Sequence, residues 1–209
     1  MSKKNKHLSL SKTPATLQTS SETTPTAWSH KPSNLTIAWL LISIPLVIWD
    51  TIYVLFRPLT MPGGSLQYPL YIPYEIYLQT DYIYGWKALE QNNGFTAAQA
   101  TMNIVETALY CWYLYIVLDR KYVGGKAGTL AVLVGFSAAL MTLSKTVLYG
   151  LNEAFSGWSN VGHNEWGHLV LYYIIPNGSW LVASALMSMA FGSEILQGLS
   201  LAGGEVLLE

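Results

Sequence analysis

The chain has little charge, almost no cysteine and no basic stripe. Only 11% of its 209 residues are Asp, Glu, Lys or Arg, whereas an average soluble domain carries about 25%. So little charge argues against a globular protein surrounded by water. The single cysteine, Cys111, excludes an intrachain disulfide framework and any cysteine-based metal spacing. A net charge of −1 with no clustered Lys or Arg face offers no electrostatic footprint for nucleic acid, so no such partner is expected. The first residues lack an apolar core, which predicts no secretory signal. No internal repeat is present.

Hydrophobic side chains are abundant, at 51% of the residues, and so are aromatics, with 14 Tyr and 8 Trp. Tyr and Trp anchor at membrane–water interfaces. Apolar runs cover residues 35–56, 95–118, 128–151 and 169–191. Each is near the ~20 residues that cross a bilayer as a helix. The expected fold is all-α: an integral membrane four-helix bundle with an internal ligand cavity. Residues 1–33 are rich in Ser, Thr, Lys and Pro and read as a disordered tail. Residues 34–195 form the membrane domain and 196–209 a second tail.

Lysine and arginine set the orientation. Lys3, Lys4, Lys6, Lys12 and Lys31 precede the first run, and Arg120, Lys121 and Lys126 separate the second from the third. The first connection holds only Arg57 and Lys87, and the third holds neither Lys nor Arg. Both tails and the second loop are therefore predicted to be cytosolic.

Three of the runs contain ionisable residues: Asp50, Glu106 and Lys145. A charge at the bilayer centre costs roughly 2.5–3.5 kcal/mol on insertion scales, so such residues are rare and mostly functional. At ~1.5 Å of rise per residue, Asp50 and Lys145 each lie about 9 Å from the same membrane face. Asn177 lies about 12 Å and Glu106 about 16 Å from that face by the same measure. Trp180 is one turn beyond Asn177. Asn103, Glu106, Thr107 and Tyr110 follow the i, i+3, i+4, i+7 spacing and share one helical stripe. Asp50 shares a face with Tyr53. Such a polar, aromatic stripe on an apolar helix suits a ligand cavity inside a bundle.

Plainer readings stand beside this one. Asp50 and Lys145, at matched depth, could form a structural ion pair. Glu106 could be protonated and bonded to Asn103 or Asn177, and Trp180 could be plain core. His163 and His168, five apart with Glu165 between them, make a poor metal signal and read as interfacial. The first connection, with Tyr68, Tyr71, Tyr74, Tyr77, Tyr82, Tyr84 and Trp86, reads as an interfacial layer rather than a binding box.

Four motifs in order carry a family resemblance. They are the Asp50-Thr-Ile-Tyr-Val-Leu-Phe run, Met102-Asn-Ile-Val-Glu-Thr-Ala-Leu-Tyr110, Val147 to Glu153 followed by His163 to His168, and Asn177-Gly-Ser-Trp180. Over about residues 37–192 the chain resembles the EXPERA-domain family of emopamil-binding sterol isomerases and sigma-2 receptor relatives. The resemblance implies a bundle in the endoplasmic reticulum membrane that holds a sterol or other hydrophobic small molecule among membrane lipids. It implies either a carbon–carbon double-bond shift by protonation and deprotonation, or non-catalytic binding of a sterol or amphiphilic amine in lipid trafficking. It assigns Glu106 and Asp50 as catalytic carboxylates. Asn103, Thr107, Tyr110, Tyr53, Lys145, Tyr149, Asn177 and Trp180 are expected around the ligand. No dissociable cofactor or metal is required, because the chemistry is redox-neutral, and a homodimer is compatible with the relatives. Leu46 stands where the isomerases carry a His, and Lys145 has no counterpart in them.

Overall fold

A computed structural model describes residues 28–204. The elements, in chain order, are strand β1 (Ser29–His30), α1 (Asn34–Leu55), α2 (Tyr74–Thr80), a 3-10 turn (Tyr82–Tyr84), α3 (Trp86–Glu90), α4 (Phe95–Val117), strand β2 (Val123–Gly124) and α5 (Gly125–Phe155). A short α6 (Trp166–Leu169) then runs through a π-helical turn (Val170–Ile174) into α7 (Ile175–Ala202).

The protein is mostly helical, and three stretches are long and apolar enough to cross a membrane: Asn34–Leu55, Gly125–Phe155 and Trp166–Ala202. Their outer faces expose Leu41, Ile42, Leu133, Leu140, Leu186 and Met189. The fourth expected span, α4, has 23 residues but is less apolar than the others. Thr96, Gln99, Asn103, Glu106 and Thr107 lower its hydropathy. This helix packs against both α1 and α5, and α5 packs against α7. Its polar groups are shielded by neighbours rather than removed from the sequence.

Helix α1 begins at Ser33, whose side chain accepts the Thr36 amide at 3.5 Å as an N-cap. Close packing of α5 on α7 depends on Gly135. A Cβ there would lie 2.7 Å from Cζ of Phe191.

Both terminal segments and the first connection depart from the expected layout. The segment before α1 is not tail up to residue 33. Ser29 and His30 pair antiparallel with Gly124 and Val123. His30 is 1% exposed. Its Nδ1 lies 2.6 Å from Glu194 Oε2 and its Nε2 lies 3.1 Å from the Tyr113 hydroxyl. The half-buried Glu194 carboxylate on α7 is matched by a residue from before α1, which draws this segment onto the helices. Residues 1–27 of the expected tail lie outside the described residues. The second tail also starts later than residue 196, because α7 continues to Ala202. Residues 205–209 lie outside the description.

The Tyr-rich first connection folds inward. Arg57 holds it: Nη1 donates to the carbonyls of Ile83 (3.2 Å) and Tyr84 (3.1 Å), and Nη2 to Thr96 Oγ1 (2.7 Å). The Tyr53 and Tyr74 rings stack at 3.7 Å, and Trp49 meets Tyr74 edge-on at 4.9 Å. The expectation of an interfacial layer is therefore corrected for Tyr71, Tyr74, Tyr77 and Tyr84, which turn inward, whereas Tyr68 and Trp86 remain exposed. Burial of the aromatic faces against α1 outweighs wetting of the hydroxyls, and the Tyr74 and Tyr84 hydroxyls find a partner in Asp50.

The third connection joins it at the same end. Asn164 donates to the Thr80 carbonyl at 2.7 Å, and the His163 ring stacks on Tyr82 at 3.9 Å. His163 Nε2 lies 2.7 Å from the Gln79 carbonyl and His168 Nε2 2.8 Å from Thr80 Oγ1. The two histidines thus fasten one loop to another. At the opposite end, β1, β2 and the last turns of α7 meet, with Trp28 lying against Gly198.

Candidate functional site

The principal cavity has a volume of about 480 Å³. That is within the range of small-molecule sites, roughly 300–1,000 Å³. Helices α1, α2, α4, α5 and α7 all contribute to its wall. Asp50, Asn103, Glu106, Lys145, Tyr149, Asn177 and Trp180 line it, as do Trp49, Tyr74, Tyr77, Tyr84 and Thr142.

The charges do not pair as their depths suggest. The Lys145 ammonium lies 3.0 Å from Oε2 of Glu106, outside good hydrogen-bonding alignment, and it donates to Asn103 Oδ1. Glu106 and Lys145 are 3% and 8% exposed. Asn103 and Glu106 are one turn apart on α4, so the ammonium from the neighbouring α5 reaches both. The structural pair that matched depth would allow between Asp50 and Lys145 is not formed. Glu106 is bonded neither to Asn103 nor to Asn177, whose amide donates to the Tyr173 carbonyl at 2.9 Å.

Asp50 is served by hydroxyls instead. Tyr74 donates to Oδ1 at 2.7 Å and Tyr84 to Oδ2 at 3.5 Å. Among the described residues, Asp50 has no salt-bridge partner. Its carboxylate faces the cavity between aromatic rings. A carboxylate half-buried among aromatic rings is costly unless a cation or a proton accompanies it.

Three expected ligand contacts sit elsewhere. Tyr53 is fully buried behind the wall; its ring supports Tyr74 and its hydroxyl donates to the Tyr84 carbonyl at 3.4 Å. Thr107 and Tyr110 line a neighbouring void of about 10 Å³. The Tyr110 hydroxyl lies 2.8 Å from Thr142 Oγ1. The i, i+3, i+4, i+7 stripe is wider than the cavity mouth, so Asn103 and Glu106 reach the cavity while Thr107 and Tyr110 pack beside it. Trp180 borders both spaces and meets Trp39 edge-on at 5.3 Å.

The main omission of sequence reasoning is the wall supplied by Tyr74, Tyr77 and Tyr84, with Asp81 behind it. The only signal for it is the i, i+3 spacing of Tyr74 and Tyr77 ahead of an acidic residue. Asp81 is 1% exposed. It accepts the Tyr149 hydroxyl and the Ile83 amide, the latter at 3.2 Å. It thereby ties the first connection to α5.

Burial pushes the Asp81 carboxyl up from 3.8 to about 6. The folded chain therefore keeps this proton between about pH 4 and pH 6, where the unfolded chain has released it. Folding stability from this group is fully present below the lower value and is lost as pH rises through the upper one. The linked loss is about 3 kcal/mol in total, about 1 kcal/mol of it between pH 5 and pH 7. Asp81→Asn removes the dependence. Thermal unfolding at pH 5 and pH 7 should show wild type losing stability relative to the variant as pH rises. Parallel behaviour of the two proteins would contradict this role for Asp81.

No group of three or more His, Cys, Asp or Glu placed to hold a metal ion occurs among the described residues. Comparisons of the chain with protein-family models, with curated proteins and with solved structures find no match.

Proposed function

We propose that the chain is an EXPERA-like four-helix protein of the endoplasmic reticulum membrane whose cavity binds a sterol or an amphiphilic amine, with Asp50 engaging the donor group of the ligand. The observation that carries this reading is the division of the charges. Lys145 is occupied by Glu106 and Asn103, so it does not compete for Asp50. Asp50 is left with neutral partners among aromatic rings. A ligand ammonium would find a counter-charge there and electron-rich faces at Trp49, Tyr74 and Tyr84. The shared end of the first and third connections, and the meeting of β1, β2 and α7 at the other end, fit four crossings with both termini on the cytosolic side. Lipid mass spectrometry of the protein purified in native membrane is expected to recover one enriched sterol or amine. Recovery of bulk phospholipid alone would refute the reading.

A double-bond isomerase is the second reading, favoured by the placing of two carboxylates on one cavity. The ion pair makes Glu106 a proton acceptor, so Asp50 would have to deliver the proton. Leu46 lines the wall where the related isomerases have a His, and it carries no proton. Rescue of a sterol-isomerase-deficient strain would establish catalysis; ligand binding without rescue would establish the binding protein.

A further inference from the structure

Lys145 is the one cation on the cavity wall among the described residues, and neither the binding reading nor the isomerase reading uses it. An ion pair that only fixes packing is sealed between helices. This pair borders a space large enough for a small molecule, and Glu106 Oε2 lacks a well-aligned hydrogen bond. A lysine desolvated in a hydrophobic pocket beside a proton acceptor is the setting in which amines condense with carbonyl compounds.

We infer that Lys145 holds an apolar aldehyde or ketone as a protonated imine, with Glu106 as proton carrier and counter-ion. This rests on the reading of the cavity as a site for an apolar ligand, and it adds a carbonyl to the description of that ligand. Glu106 takes one proton from the ammonium, and the freed Nζ lone pair forms a bond to the carbonyl carbon. The carbonyl oxygen collects that proton and a second one from Nζ and leaves as water as the C=N bond forms. The imine nitrogen keeps one proton and one positive charge. Ammonium plus carbonyl thus gives iminium plus water, and no electrons are exchanged. Nζ is uncharged only while Glu106 holds its proton and is a cation again once the C–N bond forms, so the bundle never has to bury the carboxylate alone. Asn103 Oδ1 orients the nitrogen before attack.

Farnesal, an isoprenoid aldehyde, is the probe, and farnesol is its counterpart without a carbonyl. The full chain in lipid nanodiscs is incubated with farnesal and cyanoborohydride and then mapped by peptide mass spectrometry. Lys87, Lys121 and Lys126 are exposed and report background alkylation. The expected result is one adduct per chain at Lys145, formed about tenfold faster than at the exposed lysines, and its loss in Lys145→Arg. Adducts confined to the exposed lysines of wild type overturn the inference whether or not the Arg variant folds. Thermal stabilisation separates the two readings. If farnesol and farnesal both stabilise the protein but Lys145 stays unmodified, the imine is wrong and the apolar site stands. If neither stabilises it and Lys145 stays unmodified, the imine is wrong, and the sterol or amine reading is decided by the lipid mass spectrometry.

Discussion

Asp50→Asn is expected to lower affinity for a sterol-sized tertiary amine by about 100-fold, or about 3 kcal/mol, the scale of losing one partner of a desolvated charge pair. The substitution keeps the shape of the side chain: its amide oxygen accepts the Tyr74 hydroxyl, and its amide NH2 donates to the Tyr84 oxygen. What it removes is the counter-charge for a ligand ammonium. A neutral analogue, with carbon in place of nitrogen, should bind wild type and variant alike. Saturation binding in nanodiscs with both ligands gives the comparison. Equal losses for the charged and neutral ligands would mean that the variant deformed the cavity, and the proposed role of Asp50 would fall. Tyr74→Phe sharpens the test, since it removes one donor to Oδ1 but preserves the ring that stacks on Tyr53.

Glu106→Gln is expected to destabilise the protein by about 3–5 kcal/mol, because it strands the Lys145 ammonium in an apolar interior. The reverse change, Lys145→Met, should cost less, since a carboxyl group can bind a proton and become neutral. The double variant should recover much of the loss, because an amide beside a thioether leaves no buried charge. A double-mutant cycle on thermal unfolding, followed in the same nanodiscs, should give a coupling of about 2–3 kcal/mol. Additive losses would mean that the two side chains do not depend on each other, and the reading of Glu106 as the partner of Lys145 would be lost. The cycle also separates stability from binding. Glu106→Gln acts on unfolding, whereas Asp50→Asn acts on the ligand.

The helices were readable from the chain because their cause is local. Apolar runs of bilayer length and the polar loops between runs placed α1, α4 and α5 within a few residues of their observed bounds. The same patterns marked Asp50, Glu106, Lys145, Asn177 and Trp180 as residues of one layer, and all five line one cavity. Helical rise gives depth but not rotation, and depth alone matched Asp50 with Lys145. The packing of α5 on α4 turned Lys145 toward Glu106 and Asn103 instead. Tyr53, Thr107 and Tyr110 show the same limit, since a shared stripe does not say how much of it a cavity reaches.

By itself the sequence determined that this protein is helical, that much of it is built for a membrane, and that its apolar helices carry a few costly charges. Only the tertiary structure decided the partners of those charges. It also decided that Tyr74, Tyr77 and Tyr84 of the Tyr-rich connection turn inward to line the cavity. The segment around His30 joins the fold for a similar reason, to meet Glu194 on α7. Hydropathy and helical spacing act over a few residues. The pairing of Lys145 with Glu106, of Asp50 with Tyr74 and Tyr84, and of Asp81 with Tyr149 depends on groups far apart in the chain, and packing alone sets the angles at which they meet.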